Sequence, residues 1–154
     1  AVSYIPLCAD PEDFTFLVRH EALGHAFAKL ADENSSEANG EIPSSLISDI
    51  KAKEKYGWWS NVDFTSDPSA VKWAPFISDE RYASERVGVY KGGWGYWTGI
   101  WTPTWRSIMK GNSDAFNAPS RQAIWNRVMN LSNGPDWTPS YEAFVEYDSG
   151  TTER

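Results

Sequence analysis

The sequence is poor in the residues that most often announce chemistry. It has one cysteine, Cys8, so an internal disulfide framework and a cysteine-type zinc site are both excluded. It has two methionines and two histidines in 154 residues. Its 14 lysines and arginines are outnumbered by 21 aspartates and glutamates, a formal net charge of −7. A surface of that sign does not suit nucleic acid, whose phosphates need cations. No apolar run is long enough to span a bilayer as a helix, and there is no internal repeat or heptad series. What remains is 41% hydrophobic, enough for one soluble domain with a core, and it is rich in tryptophan, with nine.

Both histidines fall in one stretch, His20 to Glu33, reading HEALGHAFAKLADE. Zinc takes neutral imidazole nitrogens and carboxylate oxygens, and a catalytic site keeps one position open for water. The peptidase helix HExxH sets two histidines on one face with a glutamate beside the metal-bound water. Here the spacing is longer by one, His20 to His25, with Glu21 beside the first. Five positions turn an ideal α-helix through about 500°, so the imidazoles would sit roughly 140° apart and could not share an ion. A π-bulge repairs this, because one wider turn brings residues five apart into line, and Gly24 suits a distorted turn. The spacing therefore predicts a bulge between His20 and His25. Three readings fit the stretch: a core helix with Leu17, Leu23, Phe27 and Leu30 as its buried stripe, a same-face pair of Glu21 and His25, and a zinc site. Asp32 and Glu33 offer a third ligand to the last. Asp32 is the first choice and Glu33 the second. Asp32 lies beyond a straight helical match to His25, so the helix must break near Leu30.

The stretch resembles the active-site helix of the M64 peptidases, the IgA-peptidase family, which carry His-Glu, Gly-His, an apolar turn and Leu-Ala-Asp-Glu. Its spacing is also similar to the HELLGH helix of the dipeptidyl peptidase III family. The likeness to M64 extends to Tyr90–Met109, YKGGWGYWTGIWTPTWRSIM, and to Phe116–Met129, FNAPSRQAIWNRVM. Asn34, Lys91, Thr102 and Arg106 depart from the commonest family pattern; none removes a proposed ligand or the base, and substrate preference is what they bear on. The resemblance implies an α+β, zincin- or metzincin-like catalytic domain with a mainly helical C-terminal part. It implies a secreted or cell-surface zinc metallopeptidase that cuts a peptide or protein substrate. In that scheme His20, His25 and Asp32 hold Zn2+, and Glu21 accepts the proton of the zinc-bound water and returns it to the leaving amine.

A zincin normally places several strands, including the one that pairs with substrate, before the metal helix. Here Ala1 to Leu7 is the only strand-like segment before it, rich in β-branched and aromatic residues, and it does not itself read as a signal peptide. The expectation is a single domain over residues 1–154, the C-terminal portion of a larger catalytic domain. The missing strands would then come from a second chain or an upstream segment.

Along the rest of the chain, Asp10 caps and Pro11 opens the metal helix. Asn34 to Gly40 is a polar loop holding the sequon Asn34-Ser35-Ser36. Pro43 opens a second helix that ends near Tyr56, with Leu46, Ile47, Ile50 and Tyr56 on one side and Gly57 as its stop. Val71 to Ile77 reads as a short strand or extended segment, kept out of a sheet centre by Pro75. Asn117-Ala118-Pro119-Ser120 opens a third helix with Ala123, Ile124, Val128 and Leu131 on its apolar side. Thr138-Pro139-Ser140 opens a fourth, carrying Tyr141, Phe144, Val145 and Tyr147, and the tail from Ser149 frays.

Two features outside the helix bear on function. The glycines at 92, 93, 95 and 99 forbid a stable helix between Tyr90 and Trp105. That segment is either a packed hairpin or a cleft wall, where Tyr90, Gly93, Trp94 and Tyr96 would meet substrate. Tyr90 and Tyr96 are also the candidate oxyanion donors. Ser107-Ile108-Met109 is similar to the methionine turn of metzincins, and an ordinary core methionine fits it equally. A different reading of the whole chain is a Trp-rich glycan- or protein-binding module with a structural or vestigial zinc site. Glu21 separates the two, because a binding module has no need of a glutamate abutting a histidine.

Overall fold

The computed structural model describes residues 2–7, 10–113 and 115–152. It is an α+β arrangement of helices around one hairpin. Helix α1 (Pro11–Leu17) starts where expected: the Asp10 carboxylate accepts the Glu12 N–H and Pro11 sits in the first turn. The chain then widens into a π-helix over Val18–Phe27. Helix α2 (Ser44–Glu54) follows Pro43, and Gly57 (φ 73°) closes the turn behind it. Helix α3 (Ala74–Ile77) and a 3₁₀ turn (Glu80–Glu85) lead to the hairpin β1 (Tyr90–Gly93) and β2 (Tyr96–Thr102). A 3₁₀ turn at Ile108–Lys110 precedes helices α4 (Ala118–Asn133) and α5 (Tyr141–Thr152). Among the described residues no helix is long and apolar enough to cross a membrane.

The hairpin is antiparallel, pairing Tyr90 with Thr102, Lys91 with Trp101 and Gly93 with Tyr96, with an irregularity between Lys91 and Gly93. Trp94 and Gly95 form its two-residue turn, both at positive φ (52° and 79°), as a turn matching strand twist requires. The free edge of β2 is partly covered by single bridges to Glu41 and Asp63. Glycines here admit the chain's own neighbours. At Gly92 (φ 94°) a Cβ would stand 2.5 Å from Ser35 Oγ, so only glycine allows that loop so close.

Three apolar clusters hold the fold. Trp73, Phe76, Tyr82, Trp125 and Phe144 form the largest, between α3, α4 and α5. Leu30, Ile108, Met109 and Phe116 lie under the π-helix. Ala31, Ile42, Ile50, Val62 and Ile100 join α2 to the hairpin. Arg121 ties α4 to its neighbours through Glu85 (2.6 Å) and Asp148 (2.7 Å).

The structure corrects four sequence expectations. Val2–Leu7 forms no strand, since no described segment pairs with it, and Val2, Tyr4 and Leu7 are exposed; Ala1 lies outside the described residues. Val71–Ile77 is not extended: Pro75 starts α3 instead, where its missing N–H costs nothing. On α4, Val128 and Leu131 are exposed and Trp125 takes the buried place, because the aromatic cluster lies on the Trp125 side. The tail does not fray at Ser149, since α5 runs to Thr152; Glu153 and Arg154 are outside the described residues.

Candidate metal centre

The expected bulge is present, and it is a full π segment. The Ala28 N–H reaches back to the Leu23 carbonyl (2.9 Å), the i to i+5 pattern of a π-helix. The wide turn brings His20 and His25 together, with their Nε2 atoms 3.1 Å apart and their rings nearly perpendicular at 84°. After Phe27 the chain breaks through Lys29, held at φ 60°, and swings Asp32 back. Its Oδ1 lies 3.3 Å from His20 Nε2 and 3.4 Å from His25 Nε2.

Those three distances test the fit of a metal. Donors about 2.0–2.1 Å from a tetrahedral ion stand roughly 3.3–3.4 Å from one another. The two imidazole nitrogens and the carboxylate oxygen are set at nearly that spacing. Their lone pairs also converge. His20 Nδ1 lies 2.9 Å from the Ile108 carbonyl and His25 Nδ1 2.8 Å from the Leu30 carbonyl. A carbonyl only accepts, so each Nδ1 carries the proton and each Nε2 presents a lone pair inward. Three acceptors facing one point attract a cation. The side chains of His20 and His25 are 13% and 27% exposed and that of Asp32 is 43% exposed, so the cluster opens to solvent on the Asp32 side. The residues present fit a three-ligand metal site with a free position, and His20, His25 and Asp32 are the group that would hold the ion.

The electrostatics point the same way. Without a metal, the hydrogen bond that His20 donates to the Asp32 carboxylate raises the His20 pKa above its ordinary value, against burial. Burial pulls His25 down, but Asp32, the Leu30 carbonyl and the charge of Glu21 outweigh it and leave it raised. Burial also pushes Asp32 up, yet the two imidazoles hold it well below the usual carboxylate range. A cation held between them would take over the role of the shared protons.

The loop that delivers Asp32 has no regular structure, and each residue is pinned separately. Lys29 accepts the Trp59 N–H (2.8 Å). Ala31 is clamped at both ends by Asn61, N–H to Oδ1 at 2.8 Å and carbonyl from Nδ2 at 2.9 Å. The Asp32 carbonyl accepts the Trp94 N–H (2.8 Å), and the Glu33 N–H donates to the Met109 carbonyl (2.8 Å). The Gly95 N–H donates to the Asn34 carbonyl (2.9 Å). The hairpin tip thus docks on the ligand loop, with Trp94 stacked edge-on against Trp59 at 4.6 Å.

Glu33, the second choice for a ligand, is placed elsewhere. It is fully buried and accepts from Asn61 Nδ2 (2.9 Å), from Asn117 Nδ2 (3.1 Å to each oxygen) and from Ser120 Oγ (3.5 Å). Burial pushes its pKa up to about 7, against the pull of Asn61, Asn117, Lys110 and Ser107. Its role is to anchor the loop. Met109 is buried directly under the π-helix: a Cβ on Gly24 would stand 2.5 Å from its Sδ. The residue before it supplies the carbonyl that fixes His20.

Of the four residues expected to meet substrate, only Trp94 is joined by a hydrogen bond to a ligand residue. Tyr90 bonds the Arg86 carbonyl (2.9 Å) through its hydroxyl. Gly93 is buried, with Thr102, Ile100 and Val62 where a side chain would go. Tyr96 packs against the α2–hairpin cluster. Sequence reasoning missed Asn61 and Asn117 as supports. Asn117 carried a signal as a helix opener, and it does cap α4 by accepting the Ser120 N–H (3.0 Å). Asn61 carried none beyond standing in a loop. Neither a scan of protein-family models nor a search of curated proteins gives a match to this chain.

Proposed function

We propose that the chain is a zinc-dependent peptidase of the M64 type, built on a metzincin-like catalytic domain and working outside the cell on a peptide or protein. The observation that carries this reading is the convergence, at tetrahedral spacing, of two imidazole lone pairs from a π-helix that also bears Glu21 with one carboxylate oxygen from the loop after it. A zinc ion bound there supplies Lewis acidity, polarising the scissile carbonyl and lowering the pKa of a bound water to about 7. His20, His25 and Asp32 fix the donor geometry, and the Ile108 and Leu30 carbonyls hold the imidazoles in the tautomer that can ligate. Glu21 takes the proton from the attacking water and hands it to the leaving amine. Trp94, at the hairpin tip and bonded through its N–H to the Asp32 carbonyl, is the candidate substrate-wall residue tied to a ligand residue.

The test couples metal content to turnover. Purified protein reconstituted with zinc should hold one equivalent, retained in Glu21→Ala and lost in His20→Ala. Cleavage of an unfolded protein substrate should fall by about 10²–10⁴-fold in Glu21→Ala. Failure to bind zinc after reconstitution, or full activity in Glu21→Ala, would sink the proposal.

A further inference from the structure

A cavity lies away from the candidate metal site. It has a volume of about 410 Å³ and sits where the end of the π-helix, the turn after α2 and one face of α4 meet. None of His20, Glu21, His25 or Asp32 lines it. That volume is within the usual range for a small-molecule site. Two observations mark it out. The first is charge: Lys29, Lys55 and Arg127 line it and no acidic residue does, in a chain whose net charge is −7. Among the described residues none of the three is in an ion pair. Lys29 instead donates to the Ala26 carbonyl (2.7 Å) and lies over the Trp58 ring, and Lys55 lies over Tyr56.

The second is unmet hydrogen bonding. Ser60 Oγ and Asn126 Oδ1 are buried, and among the described residues neither has a hydrogen-bond partner. Both residues line this same cavity, one on the turn after α2 and one on α4. Buried polar atoms are nearly always paired, so two orphans at one cavity call for an occupant that pairs them. Asn126 Oδ1 can only accept, so the occupant must bring a donor; the Ser60 hydroxyl can donate to an anion or accept. The cations ask for negative charge. Trp137 adds an indole to the wall, a flat apolar surface against which a ring can stack.

We propose that this cavity binds a small organic anion that carries hydroxyl groups, a hydroxy acid or sugar acid. The carboxylate faces Lys29, Lys55 and Arg127, a hydroxyl donates to Asn126 Oδ1, and Ser60 Oγ completes the set. The site is independent of the metal centre.

D-Glucuronate is the probe, titrated into the full zinc-loaded chain while the indole N–H signal of Trp137 is followed by NMR. D-Glucose and acetate, each carrying half of its chemistry, are the comparisons. Glucuronate should shift the Trp137 signal saturably, and glucose and acetate should each bind at least about tenfold more weakly, the loss expected for a missing charged or hydrogen-bonding group. Arg127→Ala and Ser60→Ala should each weaken glucuronate by about tenfold. Ser60→Ala should keep the melting temperature of the parent, because its hydroxyl is unpaired in the free protein. No saturable shift, acetate binding as tightly as glucuronate, or a shift unchanged in both variants would overturn the proposal.

Discussion

The C-terminal half of the molecule and the ligand loop are held together by different physics. Between α3, α4 and α5 the contacts are aromatic: Phe76 meets Tyr82, Tyr141 and Phe144 edge-on at 4.9, 5.0 and 5.9 Å, and Trp125 packs on Trp137. Around Asp32 the contacts are directional. Glu33, Asn61, Asn117, Thr104 and Ser120 are all buried, and hydrogen bonds join them to one another and to the backbone of the loop. Apolar packing stabilises by area and tolerates small displacements. Hydrogen bonds in a dry interior penalise them, because each misplaced partner strands a desolvated polar atom. A carboxylate that must sit at bonding distance from two imidazoles, on a segment with no helix or strand of its own, calls for the second kind of support.

The comparison is broken most severely in the aromatic half. Phe144→Ala, at a fully buried site, should cost about 3–5 kcal/mol in urea unfolding. The metal affinity of whatever remains folded should stay unchanged. Asn61→Ala should do the reverse. It removes both clamps on Ala31 and one donor to Glu33, so about 1–3 kcal/mol of stability should go. Metal affinity, measured against a competing chelator, should fall by about 10–100-fold, the range seen when outer support of a ligand is lost. If Asn61→Ala bound metal like the parent, the loop would be held by something other than this network.

Gly24→Ala sharpens the boundary between the two. Its Cβ would stand 2.5 Å from Met109 Sδ and 3.0 Å from Cε, so the π-helix or the methionine must move. Overpacking of this kind costs about 1–3 kcal/mol. Met109 is flexible enough to absorb part of it. The cost of Gly24→Ala should therefore shrink when Met109→Ala is made as well, a coupling visible in a double-mutant cycle of melting data. Additive losses would show that the two residues do not share the space.

The same contrast explains what the sequence made legible. The π distortion was readable because a spacing of five between the histidines has one geometric remedy. Asp10, Pro11, Pro43 and Asn117 marked helix starts through their own chemistry, and each helix begins there. The glycines between Tyr90 and Trp105 excluded a helix and left a hairpin or a cleft wall, of which the structure has the hairpin. The extended Val2–Leu7 was misread because β-branched composition describes a strand only when a partner exists to pair with it, and composition is silent on partners. The division of labour between Asp32 and Glu33 was hidden for a related reason. The two are adjacent, and what sends one to the imidazoles and the other into the interior is Asn61, 28 residues on, and Asn117, 84 residues on. Contacts of that range leave no local trace.

The Glu33 carboxyl can be isolated by pH. Its carboxyl has an ordinary pKa of 4.5 in an open chain and is pushed up to about 7 by burial in the fold. Between those values the folded protein keeps a proton that the unfolded chain has released. The linkage is then negative: stability is full below pH 4.5 and is lost as pH rises through about 7, by at most about 1.4 kcal/mol per pH unit. His20 and His25, also raised, slope the same way in metal-free protein, while depressed Asp32 contributes stability that is lost only in strong acid. A Glu33→Gln variant separates these, because the other three groups are common to both proteins. It keeps the side-chain shape but turns an amide N–H₂ toward Asn donors, so it should be less stable than the parent at low pH. Its stability should then change less between pH 5 and 7, as read from paired urea titrations at matched metal content, with the parent losing about 1 kcal/mol more per pH unit in that window. Parallel pH profiles would mean that the Glu33 carboxyl titrates as it would in water, and the polar network beneath the metal loop would then be a wet one, no different in kind from a surface.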